Sequence, residues 1–179
     1  MKKLLVVVDM QNDFIDGVLG SAEAQAIVPK VVERVEQAVK NKEDIVFTKD
    51  THLILTYLDS EEGKHLPIPH CIYPNKGWEI CDVLKEYAES NKNIWKYTFG
   101  NDWGIESDFY FNRYSQIEIV GLDTDFYVLA NAMTLKAAFP EAHIVINATC
   151  CAGSTPEWHK KALDMLEHCH CEIINRKGE

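Results

Sequence analysis

The chain has 179 residues, 46% of them hydrophobic and 26% charged, with a formal charge of −10. That length and apolar content fit one α/β domain spanning 1–179 with a sizeable buried core. The negative charge excludes nucleic acid and anionic membrane surfaces as partners, since both would repel it.

The first predicted element is a strand over Leu4–Val8. Its apolar run stops at Asp9 after five residues, too short for a signal-peptide core or a membrane span, so a cytoplasmic protein is expected. An amphipathic helix follows, with Ile27, Val31, Val35 and Ala38 on one stripe and Val28, Val32 and Val39 beside it. A second strand covers Asp44–Thr48. Thr51–Asn75 reads as a long irregular stretch with three prolines, of a length that is usually functional. Within it Asp59-Ser60-Glu61-Glu62 reads as a solvated loop. A helix is predicted from Trp78 to Ala88, burying Trp78, Cys81, Leu84 and Tyr87, then strands over Asn93–Lys96 and Gln116–Val120. Another helix starts near Asp125 and carries Val128, Leu129, Ala132 and Leu135, ahead of a strand over His143–Asn147. The last helix opens with Thr155 as N-cap, Pro156 at N1 and Glu157 in the first turn, and buries Ala162, Met165 and Leu166. A strand over Cys171–Ile174 closes the series.

This alternation predicts a Rossmann-like three-layer α/β fold: a six-stranded, mostly parallel sheet with helices on both faces. Six cysteines, at 71, 81, 150, 151, 169 and 171, form no CxxC pair and read as reduced, buried thiols. His168-Cys169-His170-Cys171 reads as structural, because neighbours entering a strand point to opposite faces.

Ligands of doubly wound sheets bind beyond the carboxyl ends of the strands. Asp9, Lys96 and position 127 lie at three such ends and converge on one rim. A carboxylate and an ammonium flanking a nucleophile is the arrangement that activates it and protonates its leaving group. Asp50-x-His52 ends the second strand with two ligand-type side chains on one side of an extended chain, and His70 joins them from the long stretch. That donor set suits Zn²⁺, and Fe²⁺ or Mn²⁺ less decisively; loop histidines in plain hydrogen bonds are the competing reading. No nucleotide cofactor is expected, because Asp9-Met10-Gln11-Asn12 is acidic and lacks a glycine-rich phosphate turn. Phe14, Trp95, Tyr97, Phe99 and Trp103 either wall an aromatic pocket or belong to the core.

Asp9-Met10-Gln11-Asn12-Asp13-Phe14, Asp50-x-His52, His70-Cys71, Lys96-x-x-Phe99, Gly121-x-x-Thr124-Asp125-x-x-Val128 and Pro156-Glu157-x-His159 run in order along nearly the whole chain. Together they resemble the isochorismatase-like cysteine hydrolases, which include nicotinamidases and N-carbamoyl amidohydrolases. The resemblance implies hydrolysis of a small-molecule amide, with Asp9 as general base and Lys96 as its cationic partner. It places the nucleophile at position 127, and the oxyanion hole at the backbone amides of Asp123 and position 127. It implies a cis peptide at Leu122–Asp123, a substrate pocket holding Phe14 and Phe99, a metal triad of Asp50, His52 and His70, and homo-oligomers. The departure is Tyr127, which stands where the family has cysteine. A phenol, with an ordinary pKa of about 10, gains far less than a thiol from a helix amino terminus. Three accounts follow: an amidase scaffold disabled at its nucleophile, a ligand- or metal-binding pseudoenzyme, or a tyrosine that does the covalent chemistry itself.

Overall fold

The computed structural model describes residues 2–104 and 114–176. Six strands, β1 (Lys2–Val8), β2 (Asp44–Asp50), β3 (Lys92–Lys96), β4 (Tyr114–Leu122), β5 (His143–Ala152) and β6 (Glu172–Ile174), form one sheet in the order β3-β2-β1-β4-β5-β6. Every pairing is parallel, and helices cover both faces. The expected α/β architecture is therefore the observed one, and β4 and β5 extend past their predicted ends. The chain winds outward from β1 through β2 to β3, then returns to the other side of β1 with β4. The carboxyl ends of β1 and β4 thus flank the switch point where such sheets open a crevice. Close approach there requires glycine at 121: its φ is +120°, and a Cβ would stand 2.0 Å from the Val8 carbonyl oxygen.

Among the described residues six α-helices connect the strands: α1 (Asn12–Ile15), α2 (Ala22–Asn41), α3 (Glu61–His65), α4 (Asp82–Glu89), α5 (Leu129–Ala138) and α6 (Pro156–His168). In α2 the stripe Ile27, Val31, Val35 and Ala38 is buried as its period demands, whereas Val39 faces solvent. The predicted Trp78–Ala88 helix begins later, at Asp82: Trp78 ends a short 3₁₀ turn and Cys81 serves as N-cap. Thr155 caps α6 by accepting the Trp158 N–H at 3.2 Å, but the helix buries Leu163 and leaves Met165 exposed. No helix among the described residues is long and apolar enough to cross a membrane.

Glu118, a carboxylate in the middle of β4, is held by Arg34 of α2. Arg34 Nε and Nη2 donate to its two oxygens at 3.0 and 2.9 Å, and Nη2 also reaches Glu43 at 2.6 Å. Removing the guanidinium would leave two largely buried carboxylates without a cation. Arg34→Met is expected to cost about 2–4 kcal/mol of stability, read as a lowered urea midpoint at neutral pH, while Lys2→Met at the exposed Lys2–Asp44 pair costs under about 1 kcal/mol.

Candidate active site and metal centre

Side chains at the β1 exit assemble the rim by hydrogen bonding to the backbone of neighbouring segments. Gln11 Nε2 donates to the carbonyls of Asp50 and Trp78 at 2.9 and 2.8 Å, while its Oε1 accepts the Asp50 N–H at 2.7 Å. Asn12 Nδ2 donates to the Lys76 carbonyl at 2.8 Å, and Asp13 Oδ2 accepts the Cys71 N–H at 2.7 Å. These polar residues tie the end of β2 and the segment bearing His70 to the end of β1.

Asp9, Lys96 and Tyr127 meet in one crevice. The β2–β3 register pairs Asp50 with Lys96, bringing the Lys96 ammonium 2.6 Å from Asp9 Oδ2 and 3.4 Å from Asp50 Oδ1. Thr48 Oγ1 donates to Asp9 Oδ1 at 2.7 Å. At 2.6 Å the Lys96 ammonium and the Asp9 carboxylate form a fully buried ion pair. Burial pushes the Asp9 carboxyl up to about 6 against the pull of Lys96. The Lys96 ammonium is held above its ordinary range: burial opposes the charge, and Asp9 and Asp50 more than offset it.

Position 127 lies in a π-type turn, Thr124–Val128, entered through a cis Leu122–Asp123 peptide. The Tyr127 ring is 4% exposed and packs against Phe14 and Phe99, with centroids 5.1 and 5.5 Å away. The Lys96 ammonium lies 4.2 Å from the ring centre, a cation–π contact with the face and not with the hydroxyl. The hydroxyl turns instead toward His70, 3.5 Å from Nε2. Burial, followed by the Asp50, Glu62 and Asp9 carboxylates, holds this phenol well above its ordinary range. That is the reverse of an activated nucleophile.

Asp50, His52 and His70 also converge, joined by Glu62, and one ligand atom from each lies within 4.8 Å of the others. His52 Nε2 is 2.9 Å from Asp50 Oδ2, and His70 Nε2 is 3.4 Å from Asp50 Oδ2 and 3.5 Å from Glu62 Oε1. Glu62 corrects the solvated-loop reading of Asp59–Glu62. Ser60 accepts the Gly63 N–H at 2.9 Å and so starts α3, whose first turn aims Glu62 inward. The sequence signal was a serine N-cap followed by two acids. The donors fit an ion: oxygen and nitrogen ligands about 2.0–2.2 Å from one metal stand roughly 3–3.5 Å apart. Burial lowers the His70 imidazole, but Asp50 and Glu62 outweigh it and bring it up to about 10, so without a cation the cluster holds a proton.

The remaining aromatics divide. Trp103 is core, donating to Asn131 Oδ1 at 3.2 Å, while Trp95 and Tyr97 are exposed. Cys150 and Cys151 contact the carbonyls of Lys30 and Ile119 and offer no thiol to the crevice.

Asp123, at the turn entrance, is pushed up to about 7 by burial and by the Asp125 and Asp9 carboxylates, against the pull of His70. Between its unfolded value of about 3.9 and this raised one, the folded state binds more protons, so stability falls as pH rises through that window. Asp123→Asn is expected to gain about 1–3 kcal/mol over the parent at about pH 8 and almost nothing at about pH 4, checked by urea denaturation at both.

A sequence model of the isochorismatase domain matches residues 3–177, and the chain belongs to the isochorismatase family. Comparison with curated protein sequences gives no match. Among solved structures, the chain is similar to a pyrazinamidase/nicotinamidase from Streptococcus mutans: 24% identity over 97% of this chain and 100% of that one, TM-score 0.83. It is similar also to the nicotinamidase of Bacillus subtilis, at 23% identity over 97% and 99% of the two chains, TM-score 0.81. A third is the pyrazinamidase of Pyrococcus horikoshii in complex with zinc, at 23% identity over 98% and 100%, TM-score 0.78. At these identities the likeness defines the fold.

Proposed function

We propose that the chain carries the scaffold of a metal-dependent hydrolase for a small, nicotinamide-like amide, disabled at its nucleophile. Asp9 is the general base and Lys96 its cationic partner. The backbone amides of Asp123 and Tyr127 form the oxyanion hole, and Phe14 and Phe99 line the substrate pocket. Asp50, His52 and His70, with Glu62, hold Zn²⁺, or Fe²⁺ or Mn²⁺, which when bound supplies a Lewis acid that orients the substrate.

One observation carries the reading: the Tyr127 hydroxyl lies against His70 while Lys96 covers the ring face. For covalent chemistry the oxygen would have to face the Asp9–Lys96 pair. It faces away, which disfavours a nucleophilic tyrosine. The pseudoenzyme reading draws support from the buried four-residue cluster, since metal binding needs no nucleophile.

The test is ammonia release from nicotinamide, pyrazinamide and simple amides, with isochorismate included, alongside metal content, for the parent and Tyr127→Cys. A silent parent with an active variant supports the disabled amidase. Two silent proteins that retain metal support the pseudoenzyme. A parent that releases ammonia as fast as the variant overturns both.

A further inference from the structure

His70 Nε2 has three oxygen neighbours at nearly equal spacing. Asp50 Oδ2 lies at 3.4 Å, Glu62 Oε1 at 3.5 Å and Tyr127 Oη at 3.5 Å. The other ring nitrogen is already engaged. Nδ1 is 3.0 Å from the Ile68 carbonyl and 3.1 Å from the Tyr57 hydroxyl, and that hydroxyl gives its own proton to the Leu66 carbonyl at 2.7 Å. Both Nδ1 neighbours therefore accept, which places a hydrogen on Nδ1 and leaves the Nε2 lone pair for an ion. The phenol oxygen stands 3.5 Å from that same nitrogen.

We propose that Tyr127 Oη is itself a ligand of the metal held by Asp50, His52, Glu62 and His70. This rests on the metal reading above and goes beyond it, because the phenol closes with a protein atom the position that a catalytic centre keeps open for substrate. The ring is positioned to serve. It is gripped between Phe14 and Phe99, Lys96 lies over its face, and Asn131 Nδ2 fixes its backbone by donating to the Tyr127 carbonyl at 2.8 Å. When the ion arrives the phenolic proton and the proton held on His70 both leave to water. Asp50, Glu62 and the phenolate then supply three negative charges beside two neutral imidazoles. That charge matches a trivalent ion better than a divalent one, and hard anionic oxygens suit ferric iron. The centre of this chain is thus assigned to Fe³⁺ in preference to Zn²⁺.

Metal-free protein should be titrated with ferric nitrilotriacetate while visible absorption is followed, with Zn²⁺ and Mn²⁺ titrated in parallel by calorimetry. A phenolate-to-iron charge-transfer band that saturates at one equivalent is expected. Tyr127→Phe should lose the band and bind Fe³⁺ at least ~10–100-fold more weakly, with Zn²⁺ affinity changed by less, while His70→Ala should bind none of the ions. Ferric binding without the band, or a band that survives in a Tyr127→Phe protein folded by circular dichroism, overturns the phenol ligand and leaves the metal reading standing. A folded parent that binds none of the three ions overturns both.

Discussion

Tyr127→Cys is expected to convert a protein with background ammonia release into a working amidase, a gain of about 10³–10⁶ in kcat/KM on its best amide. The upper figure follows from nucleophile-removal experiments, in which one lost side chain costs up to about 10⁶. Three features favour the gain. The thiol would sit in the first turn of the helical run that starts at Thr124 and continues into α5, where free N–H groups favour a thiolate. Asp9 and the Lys96 ammonium already form a buried pair in the same crevice, so base and cation stand ready beside position 127. Loss of the phenol also vacates the space between Phe14 and Phe99 that an aromatic amide would need. The same vacancy has a stability cost of about 2–4 kcal/mol, as for other large-to-small changes at buried sites. Turnover should therefore be measured at a temperature where circular dichroism reports the variant folded. A folded, metal-loaded cysteine variant that releases no ammonia from any amide would sink the amidase reading.

Lys96→Met should produce the largest loss of stability, about 3–5 kcal/mol at neutral pH. The ammonium is fully enclosed and faces Asp9 at 2.6 Å and Asp50 at 3.4 Å. Without it two buried carboxylates confront each other with no cation between them. The direction with pH follows from Asp9, whose folded value of about 6 already lies above the unfolded one and would rise further once Lys96 is gone. A carboxyl with a raised folded pKa contributes stability at low pH that is lost as pH rises through that value. The deficit of the variant should therefore shrink on acidification from about pH 8 to about pH 5. Urea titrations at both pH values check this, and an equal deficit at each would contradict the assignment.

Much of this arrangement was legible in the residues because the relevant signals are local. Short apolar runs located all six strands, period-3.6 spacing located the α2 stripe, and carboxylates next to strand ends marked the rim. Asp50-x-His52 announced itself through the alternation of an extended chain. What escaped depended on tertiary context. Met165 has helical spacing for burial, yet neighbouring Leu163 and Leu166 fill that side of α6. Glu62 read as solvated because its inward aim arises from a five-residue helix too short to carry a periodic signal. The orientation of the Tyr127 hydroxyl was beyond any pattern, being set by the shape of the space among Phe14, Phe99 and Lys96. Gln11 and Asn12 stood out as polar residues on the rim, and only the paired carbonyls reveal that they fasten backbone.

The Asp13 carboxylate has a second neighbour besides the Cys71 amide. A Cβ added at Gly77 would stand 2.2 Å from its oxygens, so no larger residue fits there without displacing that carboxylate. Any such displacement would free the segment on which His70 rides, loosening one side of the proposed metal cluster from a position that contributes no donor of its own. Residue 77 is thus a remote control on affinity. On the proposed metal reading, a metal-loaded Gly77→Ala protein should release its ion faster than the loaded parent while every coordinating side chain stays intact.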